Sequence, residues 1–344
     1  MAVISTPITE LFGIKHPVLL AGMNVAAGPE LAAAVTNAGG LGVIGGFGYT
    51  PKILRQQIRA IKDDLVDKNA PFGVDLLLPQ VGGSARKTNY DYTKGKLSEL
   101  IDVIIEEKAA LFEVVDKLHK AKIPVMNMVG HPKHVPKALA VGVDLICPQA
   151  GEGGGHTGDT PASVLIPACV DAVKGRKSPL TGKPVYVVGA GAVYDGRSLA
   201  ANLMWGAQAV WVGTRFVASK EAGAPQYHKD QIVSAGFDDV IRTIIFTGRP
   251  LHVKKFAFVE DWEINRQAEI KELTSKGIIP VEWDAEQRPE IFKNPESRAW
   301  LMGKVAALIK DIPTAKEIIE TMVNEAAELL QYGSTLVVRN KAKL

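Results

Sequence analysis

The sequence predicts an α/β fold: a (β/α)8 TIM barrel with a smaller, mainly helical C-terminal element. Three observations carry that prediction. Eight short apolar runs recur through the first two-thirds of the chain, and most are continuous rather than alternating. Continuous runs suit parallel strands, which are buried on both faces. Helix-like stretches separate most of them, and a chain of 344 residues holds one such barrel with an addition.

The strands are expected at Pro17–Gly22, Leu41–Gly46, Phe72–Leu78, Ala110–Val115, Pro124–Val129, Leu145–Gln149, Val185–Gly189 and Ala209–Gly213. Gly28-Pro29 opens a helix over Glu30–Asn37, which Gly39-Gly40 stops. Thr50-Pro51 opens the next, with Thr50 as N-cap and Pro51 at the first helical position. Thr160-Pro161 repeats that device, and a helix at Ser198–Leu203 follows Asp195-Gly196. Residues 79–108 interrupt the rhythm. Pro79–Lys96 is rich in Gly, Ser, Asn and Tyr, and Leu97–Lys108 is helical. A long loop at the C-terminal face of a barrel is commonly a lid or a wall for substrate. The fourth strand also breaks the pattern, because Leu111-Phe112 runs almost directly into the helical Glu113–Lys120.

Beyond about residue 220 the pattern changes to polar residues and prolines, with Trp262, Trp283 and Trp300. Trp300–Ile309 and Thr314–Gln331 read as two helices. The division expected is a barrel domain at 1–220 and a smaller substrate-side cap at 221–300. The C-terminal helices of 301–331 are expected to pack back on the barrel.

An apolar fraction of 47% is ordinary for a globular enzyme, and a net charge of +3 without clustering gives no footprint for nucleic acid. Cys147 and Cys169 lie in apolar runs and read as buried free thiols of a reducing compartment. Neither a signal peptide nor an apolar run of membrane-spanning length is present. The C-terminal Ala342-Lys343-Leu344 resembles the Ser-Lys-Leu peroxisomal address. The location expected is therefore cytoplasmic or peroxisomal.

The chemistry concentrates in Gln149-Ala-Gly-Glu-Gly-Gly-Gly-His156-Thr-Gly158-Asp159, directly after a strand. Three consecutive glycines let backbone lie flat against a planar ligand. His156, on neither a helical nor a strand face that would bury it, is the candidate proton handler. Gln149 offers donors and an acceptor to the edge of a heteroaromatic ring. Gly22 permits close backbone approach, and the polarizable Met23 sulfur suits a flat ring. Asp75 ends an apolar strand, where a carboxylate needs a ligand donor or a salt bridge. His131 and His134 lack a third ligand, so no metal site is expected.

Tyr186-Val-Val-Gly-Ala-Gly191-Ala192 and Ala209-Val-Trp-Val-Gly213-Thr214-Arg215 set small residues at the ends of the last two strands. Loops there cradle phosphate in a barrel through backbone N–H groups, a role for Gly191, Ala192, Gly213 and Thr214. A phosphate at that point and a ring lying toward Gln149 and His156 describe FMN, because no separate adenosine site is evident. The barrel is then the FMN-binding domain.

These residues resemble the nitronate monooxygenases, formerly called 2-nitropropane dioxygenases, among the FMN-dependent barrel oxidoreductases. The resemblance spans essentially the whole chain. It rests on His16-Pro-Val-Leu-Leu-Ala-Gly-Met23, Gly39-Gly-Leu-Gly-Val-Ile-Gly45, Pro71-Phe-Gly-Val-Asp75, Gly153-Gly-Gly-His-Thr-Gly158, Tyr194-Asp-Gly-Arg197 and Gly213-Thr-Arg-Phe216. Flavin-dependent enoyl reductases and NADH:quinone reductases share much of the pattern.

The resemblance implies that Gly22 and Met23 pack on the flavin, that Asp75 and Gln149 face its ring or ribityl chain, and that Gly154 and Gly155 lie along the ring. It implies that Gly191, Ala192, Gly213 and Thr214 hold the phosphate, that His156 is the catalytic base, and that Met302-Gly303-Lys304 lies near the flavin. Relatives usually have a glycine where Ala192 stands, and a longer connection after the fourth strand.

The activity implied is oxidation of alkyl nitronates, and of nitroalkanes, by O2 to carbonyl compounds and nitrite. His156 would hold the nitronate when protonated, or take the α-proton of a nitroalkane when neutral. The partners expected are a small nitronate and O2, with no nucleic acid and no membrane, in a monomer or homodimer. The alternative enzyme is an NAD(P)H-dependent FMN reductase of quinones or enoyl thioesters. A flavin-binding scaffold without turnover is a third reading.

Overall fold

The computed structural model describes residues 3–46, 48–78, 83–109 and 115–337. Its strands are β1 (Val18–Leu20), β2 (Gly42–Gly46), β3 (Phe72–Leu76), β4 (Met126–Val129), β5 (Leu145–Pro148), β6 (Gly155–His156), β7 (Tyr186–Ala190), β8 (Ala209–Val212), β9 (Val240–Thr243) and β10 (Leu251–Lys254).

Seven of these run parallel among the described residues. One sheet has the order β1-β8-β7-β5-β4, β2 pairs with β3, and a parallel bridge from Leu19 to Leu41 joins the two groups. The succession β3-β2-β1-β8-β7-β5-β4 is that of a (β/α)8 barrel. Of the expected fourth strand, Ala110–Val115, the structure describes Val115 alone. Residues 110–114 lie outside the described residues, and Val115 already opens the helix Val115–Lys120.

Local chemistry sets the helices. Thr50 caps Pro51–Asp64 by accepting from the Ile53 N–H, as expected. Asp195 caps Gly196–Met204 through a reciprocal exchange with Ser198. At Thr160-Pro161 the expectation needs correction. Pro161 itself is the N-cap of Ala162–Val173, and the Glu152 carboxylate accepts from the Ala162 N–H in place of a hydroxyl. Cys147 and Cys169 are buried free thiols.

The 21-residue helix Ala315–Thr335 lies against Gly196–Met204. A Cβ on Gly196 would stand 2.5 Å from the Ala326 backbone nitrogen, so glycine sets how closely the two helices approach. Met302, Ile309, Ile319, Met322 and Val323 join the main barrel core. Trp300–Ile309 is not the helix expected but a 3-10 turn over Lys304–Leu308. Gly303 holds its start against the Glu152 carbonyl, which accepts from the Lys304 N–H at 2.9 Å.

Residues 240–283 combine helices with β9 and β10, which β6 joins in the antiparallel sheet β6-β10-β9, and pack around their own cluster of Ile245, Leu251, Val253, Trp262 and Leu273. No helix among the described residues is long and apolar enough to cross a membrane. The tail Ala342-Lys343-Leu344 lies outside the described residues.

Candidate active site

The C-terminal ends of the parallel strands converge on one mouth, where backbone crowding dictates glycine. A Cβ on Gly22 would stand 2.3 Å from the Asp75 Cβ, and one on Gly45 only 2.4 Å from the Gly22 Cα. Any side chain there would force β1, β2 and β3 apart. The Met23 sulfur lies 3.6 Å from the point where a Gly213 Cβ would be, so Gly22, Met23, Asp75 and Gly213 form one cluster.

Asp75 is enclosed by protein yet still touched by solvent. Burial pushes its carboxyl up from 3.8 to about 6, with neither a hydrogen bond nor a cation among the described residues to offset it. Tyr49 donates to the Gly45 carbonyl at 3.2 Å, and burial together with the Asp75 charge pushes its phenol to about 12. Tyr49, Leu76, Leu77 and Tyr92 line a small cavity beside this cluster.

A second group is the loop after β5. The Gln149 N–H donates to Val129 and the Ala150 N–H to Ala190, which ties the loop's start to both neighbouring strands. The Gln149 side-chain amide reaches the Gly154 carbonyl at 3.4 Å. Gly155, at φ +66, turns the chain into β6, where His156 stands opposite Leu251 of β10. The buried His252, not singled out from sequence, fixes the loop from the other side: its Nδ1–H donates to the Gly153 carbonyl at 2.9 Å.

His156 Nε2 lies 3.0 Å from the Thr247 hydroxyl. That hydroxyl faces the Arg249 carbonyl and accepts from the Arg249 N–H, both at 3.3 Å. The single hydroxyl proton of Thr247 can go to the Arg249 carbonyl or to His156 Nε2; donated to Arg249, it leaves the hydroxyl to accept from Nε2–H and puts the imidazole lone pair on Nδ1. Burial, then the positive charges of Arg249 and Arg86, hold the imidazole down to about 4. His156 is neutral at physiological pH. The neutral form can accept a proton and offers no charged hydrogen bond.

The third group lies at the ends of β7 and β8. Gly191 (φ +86) and Ala192 (φ +59) are both left-handed, so Ala192 occupies a conformation that favours glycine. Gly213 precedes the single turn Thr214–Val217. The Thr214 hydroxyl accepts from the Gly303 N–H at 2.9 Å, and its own N–H begins that turn. Met302-Gly303 also covers Gly154, where a Cβ would stand 2.7 Å from the Gly303 nitrogen. The expected site residues thus fall into three adjoining groups, with the C-terminal strap tying the second to the third. Sequence reading passed over Thr247, Arg249, Arg86 and His252. Their only signal was the turn-forming Thr247-Gly248-Arg249-Pro250.

Comparison with known proteins bears on the family and the fold. Residues 5–325 match the nitronate monooxygenase family. A Mycobacterium tuberculosis protein named (3aS,4S,5R,7aS)-5-hydroxy-7a-methyl-1-oxo-octahydro-1H-indene-4-carboxyl-CoA dehydrogenase is 32% identical, over 96% of this chain and 99% of its own. A probable nitronate monooxygenase of Staphylococcus saprophyticus is 30% identical over 72% of this chain and 78% of its own. The structure of FabK from Thermotoga maritima superimposes with a TM-score of 0.78 at 28% identity, covering 97% of this chain and all of that one. A nitroalkane oxidase from Streptomyces ansochromogenes, at 24% identity and a TM-score of 0.75 over 94% and 99% of the two chains, shares the fold. By its sequence, its barrel and its relatives, this chain belongs to the nitronate monooxygenase family of oxidoreductases.

Proposed function

We propose that the chain is an FMN-dependent oxidoreductase that oxidises alkyl nitronates and nitroalkanes with O2, giving carbonyl compounds and nitrite. One observation carries the proposal. A neutral histidine, hydrogen-bonded through Nε2 to Thr247, is fixed beside a glycine loop at the mouth of the barrel.

The residues suit the cofactor. Asp75 is an unpaired carboxylate that a ring N–H would satisfy. Gly22 and Gly45 let β1, β2 and β3 close tightly, which sets Asp75 at the strand ends where the ring would lie. The left-handed turn at Gly191 and Ala192, with Gly213 and Thr214, would turn backbone N–H groups toward a phosphate. When bound, FMN supplies the electron acceptor through which O2 is reduced.

The chain's own residues do the rest. Gln149 and Gly154 keep the loop flat. His156 Nδ1 takes the α-proton of a neutral nitroalkane, and Thr247 holds Nε2–H throughout. A preformed nitronate skips that transfer. The second reading is oxidation next to a CoA thioester, where the same nitrogen would take the proton α to the thioester carbonyl. The M. tuberculosis relative, matched over nearly the full length of both chains, favours keeping it.

Oxygen uptake and nitrite release with propionate 3-nitronate, beside parallel assays with an acyl-CoA and with NADH plus a quinone, separate the readings. Nitrite with O2 uptake is expected. Flavin reduction by the acyl-CoA or by NADH, without nitronate turnover, would overturn the nitronate assignment. His156→Asn should keep bound flavin and lose more turnover with nitroalkanes than with nitronates. Equal loss on both would remove the base.

A further inference from the structure

The turn Thr247-Gly248-Arg249 holds a guanidinium with one unsatisfied nitrogen. Arg249 Nη1 is buried and has no hydrogen-bond partner among the described residues. Among the described residues no carboxylate pairs with Arg249 or with its neighbour Arg86. Arg86 instead donates to the Gly248 carbonyl at 3.1 Å, so a second cation is set against the same turn. The geometry is fixed from two sides. A Cβ on Gly248 would stand 2.1 Å from the Thr88 hydroxyl, which locks the turn onto the insertion that follows β3. Thr247 links the Arg249 backbone to His156.

Burying a cation without a counter-charge is costly, and proteins rarely leave one so. Here that cation shares a hydrogen-bonded turn with the proton acceptor. Proton transfer from a carbon acid to His156 makes a negative charge on the substrate at the same moment. We infer that Arg249 is a further substrate-binding and catalytic residue: its guanidinium holds the anionic head group of the substrate, a nitronate or its isostere a carboxylate, while Arg86 steadies the turn that presents it.

The inference rests on the proposed site and on His156 as its proton acceptor. No bond changes at Arg249. The C–H electron pair stays on the substrate and delocalises onto the two oxygens, the proton goes to Nδ1, and Arg249 donates to those oxygens. The diphosphate of a CoA ester lies too far along its pantetheine arm from the reacting carbon to occupy this place. The anion must be next to the reacting carbon, which makes the substrates small and charged at that end.

The test uses the flavin-loaded enzyme and propionate, a non-reacting isostere of the nitroethane anion, followed by calorimetry and by the flavin absorbance change. Wild type is expected to bind it. Arg249→Gln should weaken binding about 30-fold or more, the range for removing one partner of a buried charge pair. Arg249→Lys should lose less, and Arg86→Gln less than about tenfold. Unchanged binding in Arg249→Gln, or no binding to wild type, overturns the inference. A loss with Arg86→Gln as large as with Arg249→Gln would move the site to Arg86 and overturn it too.

On wild-type enzyme, propionate must also slow phenylglyoxal labelling of Arg249. An unaffected labelling rate contradicts the assignment whether or not the variants fold. Propionate binding without nitronate turnover would sink the nitronate reading and leave the anion site standing.

Discussion

Gly154→Ala tests whether the C-terminal strap holds the glycine loop in place. The new Cβ would stand 2.7 Å from the Gly303 nitrogen and 2.8 Å from the Met302 carbonyl carbon. Both are backbone atoms, so no rotamer change relieves the contact, which is roughly 0.8 Å short of an ordinary separation. Moving the strap strains two hydrogen bonds, from Gly303 to Thr214 and from Lys304 to Glu152, each 2.9 Å long. At about 1 kcal/mol per bond, with about 1–3 kcal/mol for overpacking, the loss is about 3–5 kcal/mol. Unfolding entropy of about 2.1 cal/mol/K per residue, over 344 residues, converts that to a fall in Tm of about 4–7 °C. Calorimetry of the flavin-loaded protein measures it, with Gly155→Ala as comparison. At Gly155 the only near atom is Leu301 Cδ1 at 3.7 Å, an ordinary contact. Its left-handed φ should cost about 1–2 kcal/mol, a fall of no more than about 3 °C. Equal losses in the two variants, or no loss in Gly154→Ala, would refute the strap.

Ala192→Gly should stabilise the protein by up to about 1 kcal/mol, since relief of the left-handed strain outweighs the added chain entropy. Denaturant titration would show it, and a destabilised variant would contradict the strain. Asp75 gives a pH dependence of definite sign. Its folded-state value is raised from 3.8 to about 6, so its stabilising contribution is present below 3.8 and is lost as pH rises through about 6. Asp75→Asn should therefore raise the Tm of flavin-free protein at pH 7.5, by on the order of 3 kcal/mol in stability, and leave it unchanged near pH 3.5. An equal effect at both pH values would contradict the burial account.

The strands were legible because parallel strands covered on both faces write themselves as continuous apolar runs. Phe72–Leu76 and Ala209–Val212 fall within one or two residues of expectation. What failed depended on partners distant in sequence. The helix after Pro161 is capped by Glu152, ten residues back, which no local pattern announces. Trp300–Ile309 has helical composition, yet Gly303 is pinned to Glu152 and Thr214, and only a 3-10 turn follows.

The glycine-loop histidine was legible because three glycines and one imidazole after a strand admit few structural uses. Its neutrality was not, because it comes first from burial in the folded chain and then from Arg249 and Arg86, which lie on two separate segments. The unsatisfied Arg249 Nη1 is likewise a property of the folded chain. The Ala192 departure was visible in sequence, but its left-handed backbone only in the structure.

The most direct test of a neutral His156 acting as base is the pH profile of kcat/KM with neutral nitroethane, taken from pH 3.5 to 7 beside His156→Asn. With the imidazole held at about 4, the wild-type rate should be level above about pH 5 and fall only as pH drops through about 4. The variant should lack that limb. A limb near 6.5, or the same limb in His156→Asn, would contradict the account.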